Sequence, residues 1–331
     1  MKKKGLAVLL CLALVLTALS LMAGCAEEKE KEVYTVCITQ IATHPDLDAN
    51  RQGIIDAMAE EGFVEGENID FIIRNAEGDM TVAASIADYF VSLEPDLIHA
   101  ITTPSAQTVV AAAEGTDIPI VFSSVTDPVA AGLVPSWEQA APHVTGVTDW
   151  FDMEPQVEFV LSVLPDIEVL GTAYNRGEVN AQVQANLLKE IAPDYGLTIE
   201  EATAASTAEV YAAGMSLVGR CDAVWVPTCN TVGGVGILSM ILVGEVHQLP
   251  IFGSAEGMIR RGCVGGRSVD YYREGKEAGY IAARILRGES IDGIPPMKLE
   301  LKTVVYPAAA ERMGITIPQA VIDEADIVIE E

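Results

Sequence analysis

From Tyr34 onward, short apolar runs rich in Val, Ile and Thr alternate with longer stretches in which apolar residues recur at helical spacing. A continuous apolar run marks a strand buried on both faces, and the helical stretches supply what covers it, so the pattern predicts parallel sheet. In the first half, strands are expected at Tyr34 to Ile41, Ile69 to Arg74, Leu97 to Ile101 and Pro119 to Ser123, with helices at Leu47 to Glu61, Thr81 to Leu93 and Pro104 to Glu114. A second series follows, with strands at Val169 to Tyr174, Thr198 to Glu201, Ala223 to Pro227, Ile251 to Ser254 and Val264 to Ser268. Its helices fall at Glu154 to Leu164, Asn180 to Ile191, Ala208 to Val218 and Gly236 to His247. Two such series predict an α/β protein of two doubly wound parallel-sheet lobes.

The first series runs out at Thr145 to Asp149, where a new helix begins. A helix from Tyr272 to Arg287, ended by Gly288, offers a way back to the first lobe, and Met297 to Tyr306 offers a strand crossing again. The expected division is therefore 34–147 plus about 270–296 for one lobe and 148–269 plus about 297–331 for the other. More than one crossing strand makes a hinge, because lobes tied this way bend without drifting apart.

Open parallel sheets bind ligands at the carboxyl ends of their strands, where loops lead into helix N-termini. Thr102-Thr103-Pro104-Ser105 sets a Thr cap before a Pro at the first helical position, a start that leaves amides and hydroxyls free and suits a carboxylate. After the next strand come Thr126 and Asp127, the latter either capping a turn or facing a ligand. The matching ends in the second series are Tyr174 to Asn180 (YNRGEVN), Pro227 to Val232 (PTCNTV, with Cys229 and Asn230) and Ala255-Glu256-Gly257. A cationic ammonium needs an acid here, and Glu178 or Glu256 supplies it unless each is one more solvated acid. Trp150 and Phe151, after the first crossing, pack either on an apolar ligand or between lobes.

Of the 331 residues, 20 are Lys or Arg and 48 are Asp or Glu, for a net charge of −28. So acidic a chain does not bind through phosphates, which excludes nucleic acid and anionic lipid surfaces as partners. The first residues are different. Lys2 to Lys4, an apolar run from Leu6 to Leu21 and Met22-Ala23-Gly24-Cys25 are similar to a bacterial lipoprotein signal. The resemblance implies a leader over residues 1–24, a lipidated Cys25 and a charged tether over 25–33. It departs at Met22, where such signals usually carry Leu three places before the cysteine. Loss of the leader takes the net charge from −28 to −31 and places the body outside the cytoplasm, held to the membrane only by its lipid.

Of the remaining cysteines, Cys221 and Cys229 bracket an extended segment spanning roughly 25 Å, far beyond disulfide reach. Cys37 lies in an apolar strand as a small core residue. No structural disulfide is expected, and no metal site or cofactor, since neither the cysteines nor the four His fall at ligand spacing.

Taken in order, ITQIATHPDLDANRQGI from Ile38, EGFVEGENI from Glu61, TTPSAQ from Thr102, VFSSVTDPVAAGLV from Val121, VTGVTD from Val144, YNRGEVN from Tyr174, VPTCNTV from Val226 and VDYYREG from Val269 resemble a family of bacterial ABC-transporter substrate-binding lipoproteins associated with tryptophan and other aromatic amino acids. The resemblance implies a periplasmic-binding-protein fold of type I with three hinge strands, a monomer that closes on a small ligand like a flytrap, and delivery to a permease. It carries ligand contacts onto Gln40, Thr103, Thr126, Glu178, Asn180 and Asn230. Where the family usually has Asp, this chain has Cys229, which removes the natural partner of an ammonium; the stretch Thr231 to Gly236 is also richer in glycine than expected.

That glycine cluster lacks the spacing and position of a dinucleotide loop and has no Lys beside it, so it is expected to serve close lobe approach or a strained turn. His44, before Pro45, is a candidate for the cleft mouth. No nucleophile elbow or zinc-protease motif is present, so an enzyme is not expected; the alternatives are a ligand-sensing ectodomain for a different small molecule lacking an ammonium group and an extracytoplasmic hydrolase.

Overall fold

The computed structural model describes residues 33–330, so the expected leader, Cys25 and nearly all of the tether lie outside the described residues. The first sheet is built from β1 (Tyr34–Gln40), β2 (Ile69–Asn75), β3 (Leu97–Ile101), β4 (Ile120–Ser123), β5 (Val144–Thr148) and β11 (Met297–Lys298). Their order is β11-β5-β4-β3-β1-β2, and every pairing is parallel. Of its four inner strands, β3, β4 and β5 are buried along their whole length, as covering on both faces requires.

The second sheet repeats the scheme. Strands β6 (Val169–Tyr174), β7 (Thr198–Thr203), β8 (Ala223–Val226) and β9 (Ile251–Gly253) lie parallel in the order β7-β6-β8-β9. The Val264 amide donates to the Ile251 carbonyl at 2.8 Å, leading into β10 (Gly265–Ser268). Strand β10 pairs antiparallel with β12 (Lys302–Val305), which is parallel to β13 (Ile327–Val328). The first sheet has one apolar core, and the second shares another with β12.

The first lobe is covered by α1 (Pro45–Glu60), α2 (Met80–Ser92), α3 (Thr103–Ala112) and α9 (Tyr271–Leu286). The second carries α4 (Glu154–Val163), α5 (Val179–Ile191), α6 (Val210–Leu217), α7 (Ile237–His247), α8 (Glu256–Arg260), α10 (Pro307–Arg312) and α11 (Gln319–Asp323). Local sequence explains several ends: Asp79 caps α2 by accepting from the Thr81 and Val82 amides at 2.7 and 3.2 Å, and Gly288 at φ 92° follows α9.

The chain passes between lobes three times: after β5, after β10, and between β11 and β12. The last crossing is not the single strand expected from Met297 to Tyr306. Lys298 pairs with Thr148 in the first sheet and Lys302 with Ser268 at the second, so the segment is broken into two short strands between two different partners.

Return of α9 to the first lobe depends on contact of backbones rather than side chains. A Cβ added at Gly275 would lie 1.9 Å from the Asn50 carbonyl oxygen, and one at Gly53 would lie 2.2 Å from that of Tyr272. Gly275→Ala is therefore expected to lower stability by at least about 2 kcal/mol, since two helix backbones must separate to admit the methyl. Chemical denaturation checks this; Glu277→Ala on the same helix serves as the reference.

Candidate functional site

In both sheets the strand order reverses next to the first strand of the series, between β1 and β3 and between β6 and β8. Open sheets bind ligands at such switch points. Here both crevices face one cavity. Every loop that lines it leaves the carboxyl end of a strand: His44, Asp46 and Leu47 after β1, Thr102 after β3, Ser124 after β4, Asp149 after β5, Asn180 after β6, Thr228 to Gly234 after β8, Ala255 and Met258 after β9, and Tyr271 after β10.

Two of these loops hold strained residues. Thr102 sits at φ 86° and Ser124 at φ 52°, conformations that side chains with a Cβ rarely adopt. Thr102 occupies the cap position of α3, but its hydroxyl makes no cap hydrogen bond; α3 starts at Thr103, with Pro104 second. The expected Thr-capped start is thus replaced by an uncapped one. The Thr103 hydroxyl is buried with no partner, and the Thr102 hydroxyl reaches only Ser105, at 3.4 Å. Amides and hydroxyls at a helix start in this condition are suited to an anion.

The lobes touch across the cavity. Asp46, on α1, accepts from the Gly257 amide on α8 at 2.9 Å, and Thr126 and Thr228 bring their hydroxyls within 3.1 Å. A Cβ at Gly257 would fall 2.4 Å from the Asp46 carboxylate, so only glycine admits this contact. Gly234 faces His44 across the same gap, a hypothetical Cβ lying 3.3 Å from the imidazole, as close lobe approach requires. Gly233 packs within its own lobe, against Met258 and the Pro227 carbonyl. The turn that holds them, Asn230–Val235, is a π-helical turn whose Gly233 and Gly234 carbonyls accept from Arg261.

Glu178 does not face the cavity. Its carboxylate accepts from the Asn230 amide and side chain (2.7 and 2.9 Å), from the Thr231 amide and hydroxyl (2.9 and 2.7 Å), and from the Cys229 thiol (3.4 Å). It clamps the π-helical turn and, with Asn175 and Thr231, lines a second crevice between the lobes. Glu256 turns to Arg260 beside it and also lies off the cavity. Cys229 lines the cavity with a neutral thiol: burial, then the charge of Glu178, hold it well above the ordinary thiol range. Its sulfur accepts from the Val232 and Asn175 amides, filling a cap position that a carboxylate also fills.

Among the other expected contacts, Asn180 and Asn230 line the cavity, and Thr126 stands at the lobe contact beside it. Gln40 is buried within the first lobe, bonded to the Ala42 carbonyl, Asp48 and Arg51. Asp127 caps the next turn through the Val129 and Ala130 amides. The Tyr174 hydroxyl donates to Glu201. Ser105 is fully buried behind Thr102. Neither aromatic candidate reaches the cavity: Phe151 packs on Trp225 in the second core, and Trp150 on Trp137 with the Lys298 ammonium 5.1 Å from its ring. The four described cysteines past the tether are free.

The residues matched by the ABC transporter substrate binding protein family run from 35 to 329. The chain belongs to this family. It is 34% identical over 301 residues to a tyrosine-binding protein of Clostridioides difficile, covering 86% of each chain. Among solved structures, an ABC domain in complex with L-Trp from Streptococcus pneumonia is 30% identical and superposes with a TM-score of 0.86, over 90% of this chain and all of that one. A ligand-free, open substrate binding protein with adhesive properties from Clostridium difficile is 34% identical over the same shares, yet its TM-score is 0.69. The family member described here thus fits the ligand-bound relative better than the open one that is closer to it in sequence, in keeping with the contacts between its lobes.

Sequence reasoning missed Asp46, Asp149, Ser124, Thr228 and Tyr271 in this substrate-binding protein. Asp149 alone carried a signal, since it ends the strand taken as the lobe boundary. Asp46 is buried. Burial lifts its carboxyl to about 6, against the pull of the Gly257 amide and the Arg261 charge. A carboxyl raised this way keeps its proton longer in the lobe contact than in water, so the contribution of Asp46 to the contact falls as pH climbs from about 4 to about 6 and stays lost above. Asp46→Asn keeps the acceptor for Gly257 and removes the charge. At pH 7.5 it is expected to stabilise the ligand-free protein by something on the order of 2 kcal/mol, the gain fading toward pH 4. Melting midpoints of both proteins over this range measure it.

Proposed function

We propose that this chain is the extracytoplasmic, lipid-anchored receptor of an ABC importer and that it captures an amino acid, with an aromatic side chain favoured, between its lobes for delivery to the permease. The observation that carries the reading is a cavity lined by strand-end residues of both lobes, with the buried acids Asp46 and Asp149 on it and the unpartnered Thr103 hydroxyl next to its Thr102 wall. The Thr103 hydroxyl and the opening amides of α3 suit the carboxylate, and Leu47, Met258 and Tyr271 give apolar surface to a side chain. The similarity to a tyrosine-binding protein and to an L-Trp complex supports the same class. The protein makes and breaks no bond of its ligand; its work is closure, with each lobe contributing half the contacts.

L-tyrosine or L-tryptophan is expected to raise the melting midpoint of the purified body, with about 2.7 kcal/mol of added stability at a ligand concentration 100 times its dissociation constant. A midpoint unmoved by the full set of amino acids overturns the ligand class. The anchor is tested apart from the ligand: the full chain made in bacteria is expected in the detergent phase of a phase-separation assay, and Cys25→Ser in the aqueous phase.

A further inference from the structure

We propose that the ligand's ammonium is held by the hinge carboxylate Asp149, with the side-chain carbonyl of Asn180 as its second acceptor, so that this chain recognises a primary amine from the first crossing strand and not from position 229. The inference rests on the amino-acid reading above and adds the residues that enforce it.

Asp149 lines the cavity and is 3% exposed, yet it makes no ion pair among the described residues. Its two partners are neutral hydroxyls, Thr126 at 2.8 Å and Tyr271 at 3.0 Å, one to each oxygen. A carboxylate offers about four acceptor sites, so half remain open. The Thr126 hydroxyl has spent its proton on Asp149, so in the contact with Thr228 it is Thr228 that donates. The relay therefore runs from the second lobe toward Asp149, as an ionised carboxylate demands.

The neighbouring acids do not compete for the cation. Asp46 is engaged by the Gly257 amide with Arg261 nearby. Glu274, fully buried behind Ser124, bonds the Ser124 amide and hydroxyl and the Asn50 side chain. Burial, then the charge of Asp149, raises its carboxyl well above the ordinary range. Burial raises the Asp149 carboxyl too, but the hydroxyls of Thr126 and Tyr271 pull against it, whereas the charge of Asp149 lifts Glu274 further, so of the two acids Glu274 is the one that holds a proton.

Asn180 supplies the independent observation. It is 4% exposed and lines the cavity, and its amide nitrogen is committed to the Thr228 carbonyl at 2.5 Å. That bond fixes the orientation of the amide and leaves the side-chain oxygen buried with no partner. A buried carboxylate and a buried carbonyl oxygen open to one cavity fit a donor that is charged and carries several N–H groups, as a primary ammonium does.

The test compares L-tyrosine with 3-(4-hydroxyphenyl)propionate, and L-tryptophan with indole-3-propionate, by calorimetry on the purified body. Each pair differs only by the amine. The native protein is expected to prefer the amino acid by on the order of 100-fold, the loss typical when a buried charge loses its partner. Asp149→Asn is expected to bring that preference below about tenfold, while Glu256→Gln leaves it unchanged. Should Asp149→Asn fail to fold, Asn180→Ala and Asn180→Asp take its place, the first lowering the preference and the second raising it. Equal binding of acid and amino acid by the native protein, or a preference that survives these variants, overturns this inference and leaves the amino-acid reading standing. If none of the four compounds binds, this inference and the aromatic preference both fall, and the wider amino-acid reading falls only with the full set of amino acids.

Discussion

The arrangement depends on a cost: a carboxylate, Asp149, is held out of water where three elements meet, and among the described residues nothing cationic offsets it. A buried charge is tolerated only when partners compensate for lost solvation. Here the partners are hydroxyls from separate parts of the molecule. Thr126 belongs to the first lobe, Tyr271 opens α9 at the second crossing, and Thr228 reaches Thr126 from the second lobe. One acid thereby ties two hinge crossings together and makes the lobe contact sensitive to what occupies the cavity. Closure and recognition draw on the same group.

Packing of α1 on α9 is what makes this geometry possible. Glycines at 53, 275 and 279 let the two helix backbones meet, which sets Glu274 under Ser124 and Tyr271 beside Asp149. The network continues inward through Asn50 to Ser123 and His99, all buried. Ser124 is held at a positive φ by its amide bond to Glu274, so the strained end of β4 is anchored by a helix distant in sequence. The cavity wall is therefore placed by the first lobe's core and not by loop preference.

Much of the fold was legible because parallel strands covered on both faces announce themselves as apolar runs: LIHAI and AVWV need no tertiary knowledge. The strand ends, and with them Thr102, Asn180, Cys229 and Asn230, follow from the same pattern. What stayed hidden depends on contacts between distant segments. Glu178 reads as a free acid beside a ligand until the turn of Asn230 and Thr231 folds back onto it. Asp46 lies near the start of a helix, where acids are common, and only the approach of Gly257 from the other lobe gives it a role. In Ala255-Glu256-Gly257 the acid attracted attention, whereas the glycine makes the contact, because a missing side chain is a signal only once the neighbouring backbone is in place.

The lobe contact also carries two ionisable groups whose pH responses oppose each other. Burial lowers the His44 imidazole to about 4 and raises the Asp46 carboxyl to about 6, with 3.8 Å between them. A histidine held neutral makes the contact weaker as pH falls from about 6.5 toward 4, because the exposed ring takes up a proton that the buried ring refuses. The buried Asp46 makes it stronger over nearly the same interval, by taking up a proton that an exposed carboxyl takes only later. The two shifts are similar in size and opposite in sign, so the His44–Asp46 edge of the cleft closes with little dependence on acidity. The charge that governs closure is then left to Asp149, on the side of the cavity where an ammonium can answer it.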